Sequence, residues 1–217
     1  IDTTGVSGRS KIHGFEVLNL VAVANVAPWH GYDRLIESMG RYYQGGGKEN
    51  CVFHLVGGGA EVGRYQELVS KWNLGEHVVF HGSLYGKALD DLYDVMDLAV
   101  ETLGMHRKGI ALSSSLKSKE YALKGLPILT SCKLDAFPEE ACEFVLMLPQ
   151  GEQEICFHEI LDFYKKLYYD ENSGSWSLDK KKELTAYISD YAKEHCDMYV
   201  TMQDTVQKLK GIPTKEI

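Results

Sequence analysis

Apolar runs and amphipathic segments alternate along this chain, and that alternation narrows the possible fold more than any other feature. "LNLVAVAN" (Leu18–Asn25) is a continuous apolar run closed by a polar residue; "GYDRLIESMGRYYQ" follows with Leu35, Ile36, Met39 and Tyr43 at helical spacing. "CVFHLVG" precedes the helical "EVGRYQELVSKWN", "HVVFHG" precedes "KALDDLYDVM", and "DLAVE" (Asp97–Glu101) precedes a long loop and then "SSSLKSKEYALKG". "PILTS" and "EFVLML" close the series. Short, near-continuous apolar strands separated by helices are what a parallel sheet covered on both faces requires. The expectation is an α/β, doubly wound parallel sheet of Rossmann-like type, with residues 1–217 forming one domain. From Glu152 the pattern turns helical: "EICFHEILDFYKKLYYD", then "LDKKKELTAYISDYAKEH", then a last segment to Gly211, with "DENSGSWS" a loop between the first two.

A net charge of −8 argues against a basic footprint for nucleic acid or anionic membrane, so any phosphate site has to be local. No apolar run approaches the roughly 20 residues that span a bilayer, and no signal peptide is evident. Five scattered cysteines without a C-x-x-C pair read as reduced thiols, and the expected location is the cytoplasm. The first residue is Ile1 rather than Met, from which a preceding segment is expected. His77 and His81 stand four apart with no clustered carboxylate or cysteine, and the chain has no D-x-D, nucleophile elbow, Walker loop or H-E-x-x-H. Neither a metal nor a cofactor is expected.

Ligands of such sheets sit beyond the carboxyl ends of the strands. The loops there are Asn25–Gly31, Gly57–Gly59, Gly82–Tyr85 and 102–117, and candidate residues should lie in them. Ser113, Ser114 and Ser115 with Lys117 and Lys119 open a helix, where unpaired N–H groups already carry partial positive charge. A serine cap explains one serine and neither lysine; no Glu or Gln completes a capping box. An anion would explain the whole, with N–H groups, serine hydroxyls and Lys117 converging on phosphate oxygens. Glu120, one turn on, either pairs with Lys124 on a solvated face or accepts hydrogen bonds from a ribose. "VGGGAEVG" departs from G-x-G-x-x-G and reads better as a tight turn needing glycine. His30 is either a ligand contact or a surface residue beside a packed Trp29.

In order, "VANVAPWHGYDRLIE", "FHLVGGGAE", "VVFHGSLYGKALDDLYDVMDLAVE" and "KSKEYALKGLPILTS" resemble the carboxyl-terminal, donor-binding domain of the GT-B glycosyltransferases of family 4 (group 1). The resemblance runs from Leu18 to Ser131 and continues more weakly through the terminal helices. "ID" at the start is similar to the end of the turn that precedes this domain in the family. The resemblance implies the carboxyl-terminal half of a GT-B fold, a retaining transferase that uses a nucleotide-diphosphate sugar without a D-x-D metal site, and a surface polysaccharide or glycoconjugate product. It implies that a glycan or lipid-linked acceptor, and any peripheral attachment at the inner face of a membrane, belong to an absent amino-terminal half. It places Glu120 at the second Glu of the family's E-x7-E motif, expected at the ribose. Ser115, Leu116 and Lys117 fall in the turn whose amides hold the diphosphate, Gly82, Ser83 and Leu84 fall at the nucleobase, and Asp97 falls at a structural position. Asn25, Gly31 and Gly58 complete the candidate binding loops. The departures are Leu112 at the first Glu, and Asn25 and His30 at the usual Arg and Lys. Lys117 and a protonated His30 are the expected compensating charges and the candidate catalytic groups. The alternatives within reach are a GT-B sugar-nucleotide epimerase and a non-catalytic nucleotide-binding or scaffold module.

Overall fold

A computed structural model describes residues 3, 8, 9, 11–138, 142–197 and 202. Its main sheet has six parallel strands: β1 (Leu18–Val23), β2 (Cys51–Val56), β3 (Val78–Gly82), β4 (Leu98–Val100), β6 (Ile128–Thr130) and β8 (Val145–Met147), in the order β3-β2-β1-β4-β6-β8. Among the described residues six α-helices accompany it: α1 (Tyr32–Gln44), α2 (Val62–Lys71), α3 (Lys87–Tyr93), α4 (Leu116–Leu123), α5 (Phe157–Tyr168) and α6 (Leu178–Cys196).

The period of two along β1 divides the core. Leu18, Leu20 and Ala22 pack with the apolar residues of α1, α2 and α5, while Val21 packs with those of α4 and α6. Both faces are covered, so the strand had to be a continuous apolar run. On α1, Leu35, Ile36 and Met39 are fully buried. Tyr42 rather than Tyr43 completes that face; Tyr43 is half-buried and stacks on His77 with ring centroids 3.8 Å apart. Four of the five cysteines, Cys51, Cys132, Cys142 and Cys196, are buried.

The chain winds outward from β1 to β3, then returns to β4 on the other side of β1. The sheet therefore reverses direction between β1 and β4, and a crevice opens at their carboxyl ends. Asp97, just before β4, lies at the opposite end. It is fully buried and accepts from Asn19 N (2.8 Å), Tyr164 Oη (3.2 Å) and Lys181 Nζ (2.6 Å), the structural role implied for it.

Two small pairings were not foreseen. β5 (Leu112–Ser113) pairs with β7 (Lys133–Leu134) and pins the long loop before α4. "DENSGSWS" is not a plain loop: β9 (Tyr169–Asp170) and β10 (Ser175–Trp176) form a hairpin whose Trp176 stacks on Phe15. The opening "ID" and the expected last helical segment to Gly211 lie outside the described residues, apart from position 202 within the latter.

Candidate functional site

Three of the loops expected at the crevice do meet. Asn25, Gly57–Gly59 and Ser83–Tyr85 line one cavity of about 540 Å³ with Val23, Ala24 and Val56. Glycine holds this loop pair together at close range. Gly59 has φ +140°, and a Cβ there would stand 2.2 Å from Val26 O; Gly57, at φ +115°, would meet Ala24 O at 1.9 Å. Val26 N donates to Gly58 O (2.6 Å) and Gly57 N to Gly82 O (2.7 Å). The glycine run is thus a turn pressed against the β1 loop, as its spacing suggested.

The second group gathers where α4 crosses the end of β1. Tyr121 Oη accepts from Val23 N at 2.8 Å and fixes the helix there. Ser115 caps α4, its Oγ accepting from Ser118 N at 3.1 Å. The N–H groups of Leu116 and Lys117 fall in the first turn of α4, where the helix itself supplies no backbone partner. The serine hydroxyls do not converge as expected. Ser114 Oγ donates to Asp135, Ser113 is buried in β5, and Ser115 Oγ is taken by its cap. Lys119 is also held by Asp135, 3.6 Å away, and donates to Ser114 Oγ at 3.3 Å. An anion here would be met by backbone dipoles first.

Lys117 points inward. Its side chain is 17% exposed; Nζ donates to Glu101 O (3.2 Å) and lies 3.5 Å from Glu101 Oε1. Nζ also lies 5.9 Å from the centre of the Tyr32 ring. Burial lowers the Lys117 pKa and Glu101 opposes that shift. Glu101 follows β4 directly and is fully buried. Sequence reasoning passed over it, although it meets the test of lying just beyond a strand.

His30 is the correction of most consequence. It is 8% exposed, so it is not the surface residue of the alternative reading; Trp29 is the half-buried one, with Lys108 Nζ 4.2 Å over its ring. Nor is His30 a cation. Burial, then the charge of Lys117, pulls its pKa down to about 4. Nδ1 lies 3.0 Å from Ala27 N and 3.3 Å from Ala27 O; the shorter contact, with Nδ1 accepting, fits the tautomer that carries its proton on Nε2. His30 O accepts from Leu103 N at 2.8 Å, and a Cβ on Gly31 (φ +65°) would stand 2.4 Å from Gly104 N. Gly31 is therefore the joint between the two crevice loops. Arg34 fastens the same joint by donating to Leu103 O. Outside it, Arg107 spans Asp33 (2.9 Å) and Glu152 (2.8 Å), holding the 105–108 turn to α1.

Glu120 is half-buried and accepts from Tyr93 Oη at 3.1 Å, while Lys124 pairs with Asp90 at 2.8 Å. Leu112, at the family's carboxylate position, is 61% exposed. Among the described residues no group of three or more His, Cys, Asp or Glu could hold a metal ion, and no helix is long and apolar enough to cross a membrane.

Known proteins resemble this chain in both sequence pattern and fold. Residues 16–119 match the family described as Glycosyl transferases group 1. No sequence among curated proteins matches. A Rickettsia africae glycosyltransferase superposes with a TM-score of 0.66 at 11% identity, over 92% of this chain and 49% of its own. Anabaena HepE, solved with UDP, gives 0.64 at 16% identity, over 97% and 51%. A mutant of Staphylococcus aureus TarM, solved with fondaparinux, α-GlcNAc-glycerol and UDP, gives 0.66 at 13%, over 95% and 37%. The chain thus spans about half or less of these structures and shares their fold. Residues 16–119, just under half of the chain, thus match the Glycosyl transferases group 1 family, and the chain around them has the fold of solved glycosyltransferases.

Proposed function

We propose that this chain is the donor-binding half of a retaining glycosyltransferase. In this reading it binds a nucleotide-diphosphate sugar as donor substrate, needs no metal or cofactor, and serves synthesis of a surface polysaccharide or glycoconjugate. The observation that carries the proposal is the gathering of candidate loops after the strands of one parallel sheet: the cavity at Asn25, Gly58, Ser83 and Leu84 after β1, β2 and β3, and Lys117 held to Glu101 after β4. UDP in the structures of HepE and TarM supports it by analogy of fold.

The nucleobase occupies the cavity beside Gly82–Leu84, and the ribose reaches Glu120, whose second carboxylate oxygen remains to accept from a hydroxyl. The diphosphate lies at the first turn of α4. Cleavage of the bond from sugar C1 to the β-phosphate oxygen leaves charge on the diphosphate. On this reading the Leu116 and Lys117 N–H groups, the Lys117 ammonium and His30 Nε2–H meet that charge. Because the groups are fixed before the reaction, little reorganisation is required as charge develops. The acceptor, and any contact with a membrane, is assigned to a second half of the kind that fills the remaining length of the related structures.

Calorimetric titration with UDP and GDP tests the reading. Lys117→Ala should weaken binding by about 1.5–3 kcal/mol, the range for hydrogen bonds to charged groups. Glu120→Gln should weaken ribonucleotides and leave 2′,3′-dideoxy analogues unaffected. Absence of heat with either nucleotide would favour a scaffold, a reading that the exposed Leu112 keeps in view.

A further inference from the structure

Glu101 is the buried titratable group for which the proposed reaction has no use. Its side chain is fully buried at the end of β4, Thr102 Oγ1 donates to Oε2, and Oε1 accepts no hydrogen bond. Burying a carboxylate with one oxygen unsatisfied is costly, and an apolar or amide side chain would avoid the cost. What the carboxylate faces is Lys117 Nζ, 3.5 Å from Oε1. The lysine stands in a poor place for a cation, since it is largely buried and sits at the amino terminus of a helix. Both influences favour the neutral amine. The neighbouring carboxylate opposes both.

We propose that Glu101 is a positioning residue of the donor site, whose buried carboxylate holds the Lys117 ammonium charged and in place for the diphosphate. The inference rests on the donor-site reading above. It explains why two oppositely charged groups are buried together on separate elements at the floor of the crevice, rather than at the surface. It also explains the direction of the two influences on Lys117, where burial lowers its pKa and Glu101 raises it. The groups around the pair come from each packed element: His30 from the 28–30 turn, Tyr32 from α1, Tyr121 from α4 and Cys132 after β6. His30 titrates near 4, burial raises both tyrosines, and burial with Glu101 raises Cys132. None of them mimics a lysine that loses its proton more easily.

The test is a carbon-13 titration of the Lys117 side chain in wild type and Glu101→Gln, paired with UDP and GDP affinities from about pH 7.5 to about pH 9.5. Loss of an opposite charge at this distance should move the Lys117 midpoint down by at least about one pH unit. The ratio of wild-type to variant affinity should then widen about ten-fold toward high pH, because one unit is a tenfold change in protonation. A merely structural Glu101 would lower affinity equally at every pH. Equal Lys117 midpoints, or parallel affinity profiles, overturn the proposal while leaving nucleotide binding intact. A wild type that binds neither UDP nor GDP overturns both this proposal and the donor-site reading. Lys117→Met provides a route that leaves Glu101 in place. With its cation gone the Glu101 carboxylate is left buried and unpaired, so the urea midpoint of Lys117→Met should lie clearly below that of wild type; an unchanged urea midpoint would sink the coupling even if Glu101→Gln failed to fold.

Discussion

His30 supplies a prediction whose size follows from its surroundings. In the folded chain its pKa is lowered from 6.5 to about 4 by burial and by Lys117, and the ring is only 8% exposed. As pH falls, the unfolded chain therefore takes up this proton first. The stabilising contribution is fully present above 6.5 and is lost progressively between 6.5 and about 4. At about 1.36 kcal/mol per unit, the full effect is about 3 kcal/mol, and about 2 kcal/mol of it is lost between pH 7 and pH 5.

Replacing His30 with Gln removes the acid-sensitive ring. At pH 7 the variant loses the acceptor for Ala27 N and should be less stable by about 1 kcal/mol. Its further loss on going to pH 5 should be about 2 kcal/mol smaller than that of wild type. Urea unfolding at the two pH values measures both quantities. His54, also near 4 and stacked on His81, contributes acid sensitivity of its own, which is common to both proteins and cancels in the comparison. Equal losses between pH 7 and pH 5 would refute the reasoning, since His30 would then be protonated alike in both states. The outcome matters for the site. In the proposed donor site, a neutral His30 offers one N–H to a diphosphate and cannot stand in for a lost Lys.

Two further outcomes concern the scaffold. Lys181→Met should cost about 3–5 kcal/mol in urea unfolding, because Asp97 would remain buried without its 2.6 Å cation; a loss below about 1 kcal/mol would mean that Asn19 N, Tyr164 Oη and His13 Nε2, 3.2 Å away, suffice. Gly58→Ala should unfold at nearly the wild-type temperature, since a Cβ there meets nothing within 4 Å, whereas Gly59→Ala should lose more than the roughly 1–3 kcal/mol of backbone strain alone. Equal effects of the two alanines would show that the loop is not packed against Val26.

What could be read from the sequence divides along a physical line. The strands and the crevice loops are local signals: continuous apolar runs, helical spacing at Leu35, Ile36 and Met39, and polar or glycine residues after each run. Position in a doubly wound sheet then puts Asn25, Gly58 and Ser83 at one cavity without further information. The direction of side chains was not legible in the same way. The serines and lysines before α4 suggested hydroxyls and ammonium groups aimed at phosphate. Their orientation depends on Asp135 and Glu101, which arrive from β7's loop and from β4. The charge of His30 likewise depends on burial beneath Leu103 and on Lys117, partners far along the chain. Glu101 carried a usable signal, a carboxylate directly after a buried strand, but its significance appears only once Lys117 stands beside it.

In the proposed donor site these placements change how an acidic chain would hold a diphosphate. Lys119 is tied to Asp135, Lys117 to Glu101, and His30 is neutral, so the crevice gathers little net positive charge. The remaining attraction comes from fixed dipoles: first-turn N–H groups of α4, the Nε2–H of His30, and one ammonium held by its partner. Such groups are worth more in a dry crevice than in water, and they need no reorientation when charge develops. Mobile surface cations would instead be screened by salt. With a net charge of −8 on the chain, a site built from oriented dipoles and one compensated lysine avoids dependence on a positive surface it does not have. The oddity of lysines at a helix start is resolved the same way: each was placed against a carboxylate, and only one of them at the floor of the crevice.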